Sequence, residues 1–334
     1  MERGISLDRH VLDEQRRTPG ATGDFTTLLS QIALASKIIN SKVNQAGLVE
    51  VLGLTGDVNV QGEEVQKLDD FANRTMIRSL EAGGLLCVMA SEEVADVIPI
   101  PDAYPTGKYV LMFDPLDGSS NIDTSMPIGT IWSVHRRVTV GRDGTIADCL
   151  QKGSAQVAAG YILYGASTMF VYSTGRGVHG FTLDPSIGEF FLSHPDIRMP
   201  DLGESYSINE SNTELWDDRM RAAARDVKKP DARGKRKTLR YVGTLVADFH
   251  RTLIKGGVFA YPSDKKSPNG KLRLLYECCP MAFLAQEAGG AATDGKQRIL
   301  DIEPRELHQR SPLVIGSKAD VDRLTGIMSG TILV

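Results

Sequence analysis

The sequence predicts a mixed α/β (α+β) protein of two domains, and three observations carry that reading. The chain has 334 residues, and domains usually run roughly 100–200. Apolar residues at helical spacing alternate along it with short apolar runs that read as strands. Pro, Asp and Gly crowd together around 195–205, in HPDIRMPDLGES, which sets the boundary between domains 1–197 and 198–334. With 41% hydrophobic and 24% charged residues the chain can bury a core, which excludes wholesale disorder.

The elements follow in order. The first ~20 residues are polar and aperiodic, and are expected to be mobile or to contact other subunits. Phe25, Leu28, Leu29, Ile32, Ile39 and Val43 share one helical face, with Thr22 or Asp24 as the cap. A Gly-punctuated stretch, residues 47–62, leads to a second helical pattern at Val65, Leu68, Ala72, Met76 and Leu80, stopped by Gly83 and Gly84. Two buried strands are expected at 85–90 and 109–113. Alternating, aromatic-rich runs at 130–140, 160–164, 168–173 and 177–183 predict a largely antiparallel or mixed sheet. Beyond the boundary, 213–226 is helical in pattern, 228–240 is a basic loop, and helix and strand patterns alternate up to Gly289 and Gly290. One α/β layering per domain fits this order.

Composition also excludes functions. A net charge of −4 argues against a nucleic-acid binder, which is normally basic. No apolar run approaches the roughly 18 residues of a spanning helix, so no membrane role is expected. The start lacks an apolar signal core, which predicts an intracellular protein. Cys87, Cys149, Cys278 and Cys279 form no CxxC pair and are expected to stay reduced. The histidines show no zinc spacing, and no nucleophile motif appears. Residues 175–180 spell GxGxxG but lie between strand-like runs, so they read as a turn; 290–296 lacks the Ser or Thr of a phosphate loop.

The string DPLDGSSN, 114–121, is the most informative. Asp114 and Asp117 follow an apolar strand, Pro115 fixes the turn between them, and Gly118, Ser119 and Ser120 then open a helix. Carboxylates bind hard cations such as Mg²⁺, and free N–H groups at a helix start bind phosphate. Glu92 and Glu93 also follow a strand, where α/β sheets bind ligands. Glu63 and Asp69 flank the start of the preceding helix. Six acids converging without cations would repel one another, so divalent metals are the economical explanation. Farther on, Lys265, Lys266 and Lys271 precede Glu277, an arrangement suited to a second anionic group and a further metal ligand.

These strings resemble class I fructose-1,6-bisphosphatases. DPLDGS is shared with the wider lithium-sensitive sugar- and inositol-phosphatase superfamily, whereas GKLRLLYECCPMA at 270–282 resembles that family's own signature. NVQGEEVQKLD, SEE, RYVG, and YP followed by KKSPNGK accompany it in order, and the resemblance covers roughly residues 20–320. It implies a two-domain layered αβαβα sugar-phosphatase fold, with an AMP-binding first domain and a sugar-phosphate-binding second. It implies Mg²⁺-dependent removal of the 1-phosphate of fructose 1,6-bisphosphate in gluconeogenesis, in a cytoplasmic homotetramer inhibited by AMP.

By the same resemblance Glu92, Asp114, Asp117, Glu277 and the Leu116 carbonyl hold two or three Mg²⁺ ions, with Mn²⁺ or Zn²⁺ as substitutes. Glu63, where the family often has Asp, adjusts a third metal. Glu93 and Asp69 orient and deprotonate the attacking water. Asp117, Gly118, Ser119 and Ser120 contact sugar and phosphate, and Lys271 steadies the sugar phosphate. Asn209, Tyr241 and Tyr261 bind the 6-phosphate, with Arg240 reaching in from a neighbouring subunit; Asn212 stands where animal members have a tyrosine. The AMP site comprises Thr22, Gly23, Asp24, Thr26, Lys108, Tyr109 and Arg136, and residues 47–62 resemble the loop that links AMP to metal binding. The rival readings are sedoheptulose-1,7-bisphosphate hydrolysis, alone or as a second activity, and a non-catalytic AMP- and metal-binding regulatory protein.

Overall fold

The computed structural model of the chain describes residues 4–17, 23–45, 54–58 and 64–334. Helix α1, Leu7–Arg16, starts at Ser6, whose hydroxyl accepts from the Arg9 N–H at 3.3 Å. This corrects the expectation of an aperiodic start. Only Leu7 and Val11 are buried in α1, too few apolar positions to declare a period, yet one turn apart and so on one face. Helix α2, Asp24–Val43, buries Leu28, Leu29, Ile32 and Ile39 as its spacing predicted. Its cap is neither expected residue: Gly23 precedes it at φ 87, and Asp24 is its first helical residue. Strands β1, Leu54–Val58, and β2, Glu64–Gln66, pair antiparallel. Helix α3, Lys67–Leu80, buries Leu68, Ala72, Met76 and Leu80, while Val65 belongs to β2.

An eight-stranded sheet follows. Its members are β3 (Leu86–Ser91), β4 (Ile98–Pro99), β5 (Tyr109–Asp117), β6 (Ile128–Arg136) and, after the short helix α4 (Ile146–Cys149), β7 (Gln156–Tyr164), β8 (Thr168–Ser173), β9 (Val178–Asp184) and β10 (Glu189–Ile197). The order is β10-β9-β8-β7-β6-β5-β3-β4, and only β3 and β5 run parallel. Strand β5 runs four residues beyond its expected end, through Pro115. A register shift against β6 between Asp114 and Asp117 absorbs the proline, the usual use of a bulge. Strand β10 was not expected, because Pro195 reads as a breaker; at the sheet's edge one face of the ladder is unpaired and proline is tolerated.

The second half holds β11 (Ser205–Ile208), α5 (Asp218–Asp226), β12 (Thr238–Leu239), α6 (Leu245–Lys255), β13 (Val258–Tyr261), β14 (Leu272–Arg273), α7 (Cys279–Glu287), β15 (Ala291–Thr293), β16 (Arg310–Ser311), β17 (Leu313–Gly316) and α8 (Lys318–Ser329). Helix α5 starts later than the pattern predicted, because Asp217 caps it at the Met220 N–H, 2.7 Å away. A second sheet has the order β12-β11-β13-β17-β15.

Apolar burial stacks these parts into five layers. Leu28, Ile32, Ala72 and Met76 of α2 and α3 pack on one face of the large sheet, against Leu111, Phe113 and Trp132. Ile131 and Tyr161 on its other face meet Val246 and Phe249 of α6 and Met281 and Leu284 of α7, which in turn meet Phe259 and Ile315 of the second sheet. Ala223 of α5 and Leu324 of α8 cover that sheet's outer face at Val258 and Val314. The result is the αβαβα order. The GxGxxG string is a turn between β8 and β9, with Gly175 and Gly177 at positive φ. All four cysteines are free and buried. Among the described residues no helix is long and apolar enough to cross a membrane.

Candidate active site

The parallel pair β3 and β5 ends at a crevice between the two sheets. Glu92 and Glu93 follow β3, and the Glu92 N–H donates to the Phe113 carbonyl of β5 at 3.1 Å, so both acid clusters stand side by side. A cavity of about 440 Å³ opens there, lined by Glu92, Glu93, Asp114, Leu116, Asp117, Gly118, Ser119, Ser120, Tyr241, Tyr261, Lys271 and Glu277. Glu277 lies on a wide π-type turn, Leu274–Cys278, that leads into α7. Carboxylate oxygens of Asp114, Asp117 and Glu277 lie within 4.8 Å of one another, and all three side chains are buried.

Each of these acids is held in place. The Leu116 N–H donates to Asp114 Oδ1 at 2.9 Å, and the Val246 N–H, in the first turn of α6, to Asp117 Oδ2 at 2.7 Å. The Arg273 N–H donates to Glu277. Burial drives the Asp117 carboxyl up to about 7, against the Val246 N–H, which lowers it, and with Glu92 adding to the rise. Burial also raises Asp114 and Glu277 well above the carboxylate range, reinforced for both by Glu92. Desolvated oxygen donors that repel one another in this way fit a hard divalent cation.

The DPLDGSSN turn differs from the expected helix. Gly118 takes φ 83, and Ser119–Thr124 form a short 3₁₀ segment. A Cβ on Gly118 would stand 2.5 Å from Thr244 Cγ2. Thr244 in turn accepts from Asn121 Nδ2 at 2.6 Å and donates to the Pro127 carbonyl at 2.9 Å, locking the turn to the start of α6.

Asp69 is buried on the first turn of α3 and does not line the cavity. One turn on, Asn73 accepts from Ser91 Oγ at 2.8 Å, and Ser91 Oγ accepts from the Glu93 N–H at 3.3 Å, so α3 supports the Glu93 turn. Tyr241 hydrogen-bonds Asn209, and burial followed by the neighbouring Tyr261 pushes its hydroxyl up to about 12. Lys271 Nζ sits 6.0 Å from the centre of the Tyr261 ring. Asn209 and Asn212 do not line the main cavity but a small side pocket beyond Tyr261. Arg240 lies outside both, exposed, with its guanidinium on the Leu239 carbonyl at 3.0 Å. Glu63 lies outside the described residues.

Sequence reasoning missed Arg273, whose guanidinium meets Glu92 at 3.3 Å with both side chains largely buried. It also missed the backbone of Val246. Neither sits in a recognisable string, and Val246 is 129 positions from the Asp117 it serves.

A second cavity, also about 440 Å³, lies at the other end of β5. Gly23, Thr26, Lys108, Tyr109 and Arg136 line it, as do Val11, Glu14 and Gln15 of α1 and Arg176 after β8. Lys108 and Arg136 lie over the Tyr109 ring at 5.7 and 5.8 Å. Asp24 is not in its wall but pairs with Lys108 Nζ at 2.6 Å. Thr22 is outside the described residues, and of 47–62 only 54–58, strand β1, is described.

Residues 5–195 match the family model for the N-terminal domain of fructose-1-6-bisphosphatase, and residues 199–329 the one for its C-terminal domain. The chain belongs to the fructose-1,6-bisphosphatase family. Within it, the chain is 57% identical over 332 residues to the class 1 fructose-1,6-bisphosphatase of Oleidesulfovibrio alaskensis, covering 97% of this chain and 98% of that one. It is 53% identical to that of Chlorobium luteolum, covering 96% and 97%. The crystal structure of Leishmania major fructose-1,6-bisphosphatase in holo form superposes with a TM-score of 0.91 at 38% identity, covering 97% of this chain and 99% of that one. The fold is therefore the layered α/β fold of a fructose-1,6-bisphosphatase, and the chain is a phosphatase.

Proposed function

We propose that this phosphatase hydrolyses the 1-phosphate of fructose 1,6-bisphosphate with Mg²⁺, as a gluconeogenic enzyme of the cytoplasm inhibited by AMP. The observation that carries the chemistry is the set of buried carboxylates of Asp114, Asp117 and Glu277 in one crevice with Glu92 and Lys271. Glu92, Asp114, Asp117, Glu277 and the Leu116 carbonyl are the residues that would hold the ions, with Glu63 at a further one. When bound, divalent ions supply charge neutralisation at the phosphate, a more acidic water and stabilisation of the leaving oxygen.

The chain's own residues supply position and proton transfer. Glu93 faces the cavity and takes the proton of the attacking water, with Asp69 orienting it from α3. The backbone from Asp117 to Ser120, fixed by Gly118 against Thr244, presents N–H groups and hydroxyls to the 1-phosphate and the sugar. Lys271, Tyr261, Tyr241 and Asn209 receive the 6-phosphate, with Asn212 behind Tyr261. Places for two phosphates, one at the acid cluster and one at Lys271, select a bisphosphate over an inositol monophosphate. Residues 1–197 carry most of the acids and the second cavity, and residues 198–334 carry the sugar-phosphate side.

The second cavity is the AMP site in this reading. Lys108 and Arg136 take the phosphate beside the start of α2, with Gly23, Asp24 and Thr26 there and Thr22 ahead of them. A homotetramer accords with exposed Leu12, Leu34 and Ile38 on α1 and α2, and with the exposed side chain of Arg240.

Phosphate release from fructose 1,6-bisphosphate, with and without Mg²⁺, tests the core of this. Glu93→Gln is expected to lower kcat about 10²–10⁴-fold, the usual share of a general base. Equal activity of the two proteins would remove Glu93 from the mechanism. The same assay on sedoheptulose 1,7-bisphosphate measures the rival specificity.

A further inference from the structure

Helix α1 forms one wall of the second cavity through Val11, Glu14 and Gln15. At ten residues it is too short to be stable alone in water, so it holds its shape by docking. Its polar anchors include a bond from Thr26 Oγ1 of α2 to Gln15 at 2.6 Å. Ser6 bridges to Phe191, the Leu192 N–H donates to the Ile5 carbonyl at 2.9 Å, and Ser30 Oγ of α2 donates to Asp8 at 2.7 Å. Beside the buried Leu7 and Val11, His10 supplies the ring contact. Its ring lies 4.6 Å from that of His179 on β9, 5.3 Å from Phe181 and 6.2 Å from Tyr172, which itself lines the cavity.

Two neutral imidazoles suit this packing and two imidazolium ions do not. His10 Nε2 is buried with no hydrogen-bond partner among the described residues. His179 Nδ1 accepts from the Asp196 N–H at 3.1 Å, so a proton arriving there breaks that bond. The other charged or titratable groups facing the pair are Asp13 and Glu14 on α1, Arg17 just past its end, Tyr172 on β8, and Asp196 and Arg198 at the end of β10. The acids favour protonation and the arginines oppose it. Burial outweighs them, and both imidazoles are held below the ordinary histidine value.

We propose that His10 and His179 form a proton-sensitive latch: neutral, they hold α1 against the sheet and complete the effector cavity; protonated, they release that wall and weaken binding of a nucleoside monophosphate. The effector half of this rests on reading the cavity as the AMP site. With α1 undocked His10 returns to about 6.5 and His179, still bonded to the Asp196 N–H, rises toward it. The docked state therefore binds fewer protons, and its advantage is complete above about pH 6.5 and declines as pH falls below it.

Hydrogen exchange of the α1 amides in the full chain, corrected for intrinsic rates, tests the latch without any ligand. Between pH 7.5 and 6.0 the opening constant of α1 is expected to rise by up to about fourfold for each histidine. His10→Phe, which keeps a ring among Phe181 and Tyr172, and His179→Asn should each reduce that rise. Titration with AMP at the same two pH values should show a larger loss of affinity for the wild type than for either variant, since all three share the nucleotide's own ionisation. Opening of α1 that is independent of pH, or equally dependent in wild type and both variants, overturns the latch. Failure of AMP to bind at pH 7.5 overturns the effector reading alone, and the exchange data still decide the latch.

Discussion

The two cavities at the ends of β5 have the same volume and opposite chemistry. At the carboxyl end, acids brought from residues 114 to 277 are buried, and desolvation and repulsion raise Asp114, Asp117 and Glu277. At the amino end, Lys108 and Arg136 stay near solvent, one of them already paired with Asp24. A buried cluster of like charge is complete only with its counter-ions, whereas exposed cations need none. The acid cavity should thus depend on metal for stability as well as turnover, and the basic one should only change what it binds.

Removing divalent metal is the largest perturbation of this contrast. Turnover should cease, and the metal-free protein should lose thermal stability as pH rises. Asp117 titrates near 7 in the fold against about 4 unfolded, so the folded state holds the extra proton between those values, and that contribution disappears as pH climbs through 7. Melting curves from pH 5 to 8, with and without Mg²⁺, check it; Asp117→Asn should flatten the metal-free series. A metal-free protein equally stable at pH 5 and 8 would break the comparison.

Lys108→Ala comes next. A charged hydrogen-bond donor lost from an anion site should weaken AMP about 10–100-fold, read as the concentration for half inhibition. Gly118→Ala follows, because a Cβ there meets Thr244 at 2.5 Å on backbone at φ 83. It should cost about 1–3 kcal/mol in a melt and lower kcat with it. Asp24→Asn is the smallest. The Lys108 pair is well exposed on both sides, so stability should change by less than about 1 kcal/mol. A larger loss would mean that the amino-end cavity, too, is a strained charge site.

The acid cavity was legible where its residues share a string. DPLDGSSN and Ser91-Glu92-Glu93 announce themselves because the chemistry demands adjacent acids after a strand. The supports were not legible. Val246, Asn73 and Ser91 act through a backbone N–H or a neutral side chain, and their partners are set by how the layers stack rather than by spacing. Arg273 stands in plain view within the LRLL run, but nothing in that run says that it faces Glu92. The same holds for the fold. Helix α2 declared itself through six spaced apolar residues, while α1, which buries only two, reads as a polar tail. Pro195 reads as a break in pattern, yet it sits inside an edge strand.

Strand β5 is also a ruler. Tyr109, Leu111 and Phe113 face the α2 and α3 layer, while Val110 and Met112 face Leu275 and Tyr276, so each residue's side is fixed by its parity. Deleting one residue between Tyr109 and Asp114 would exchange the two sets and turn the acids out of their crevice. The spacing between the two cavities can therefore change only in steps of two residues, or with a compensating bulge. Lineages carrying this fold should accumulate insertions in the turns on either side of β5 and almost none within it.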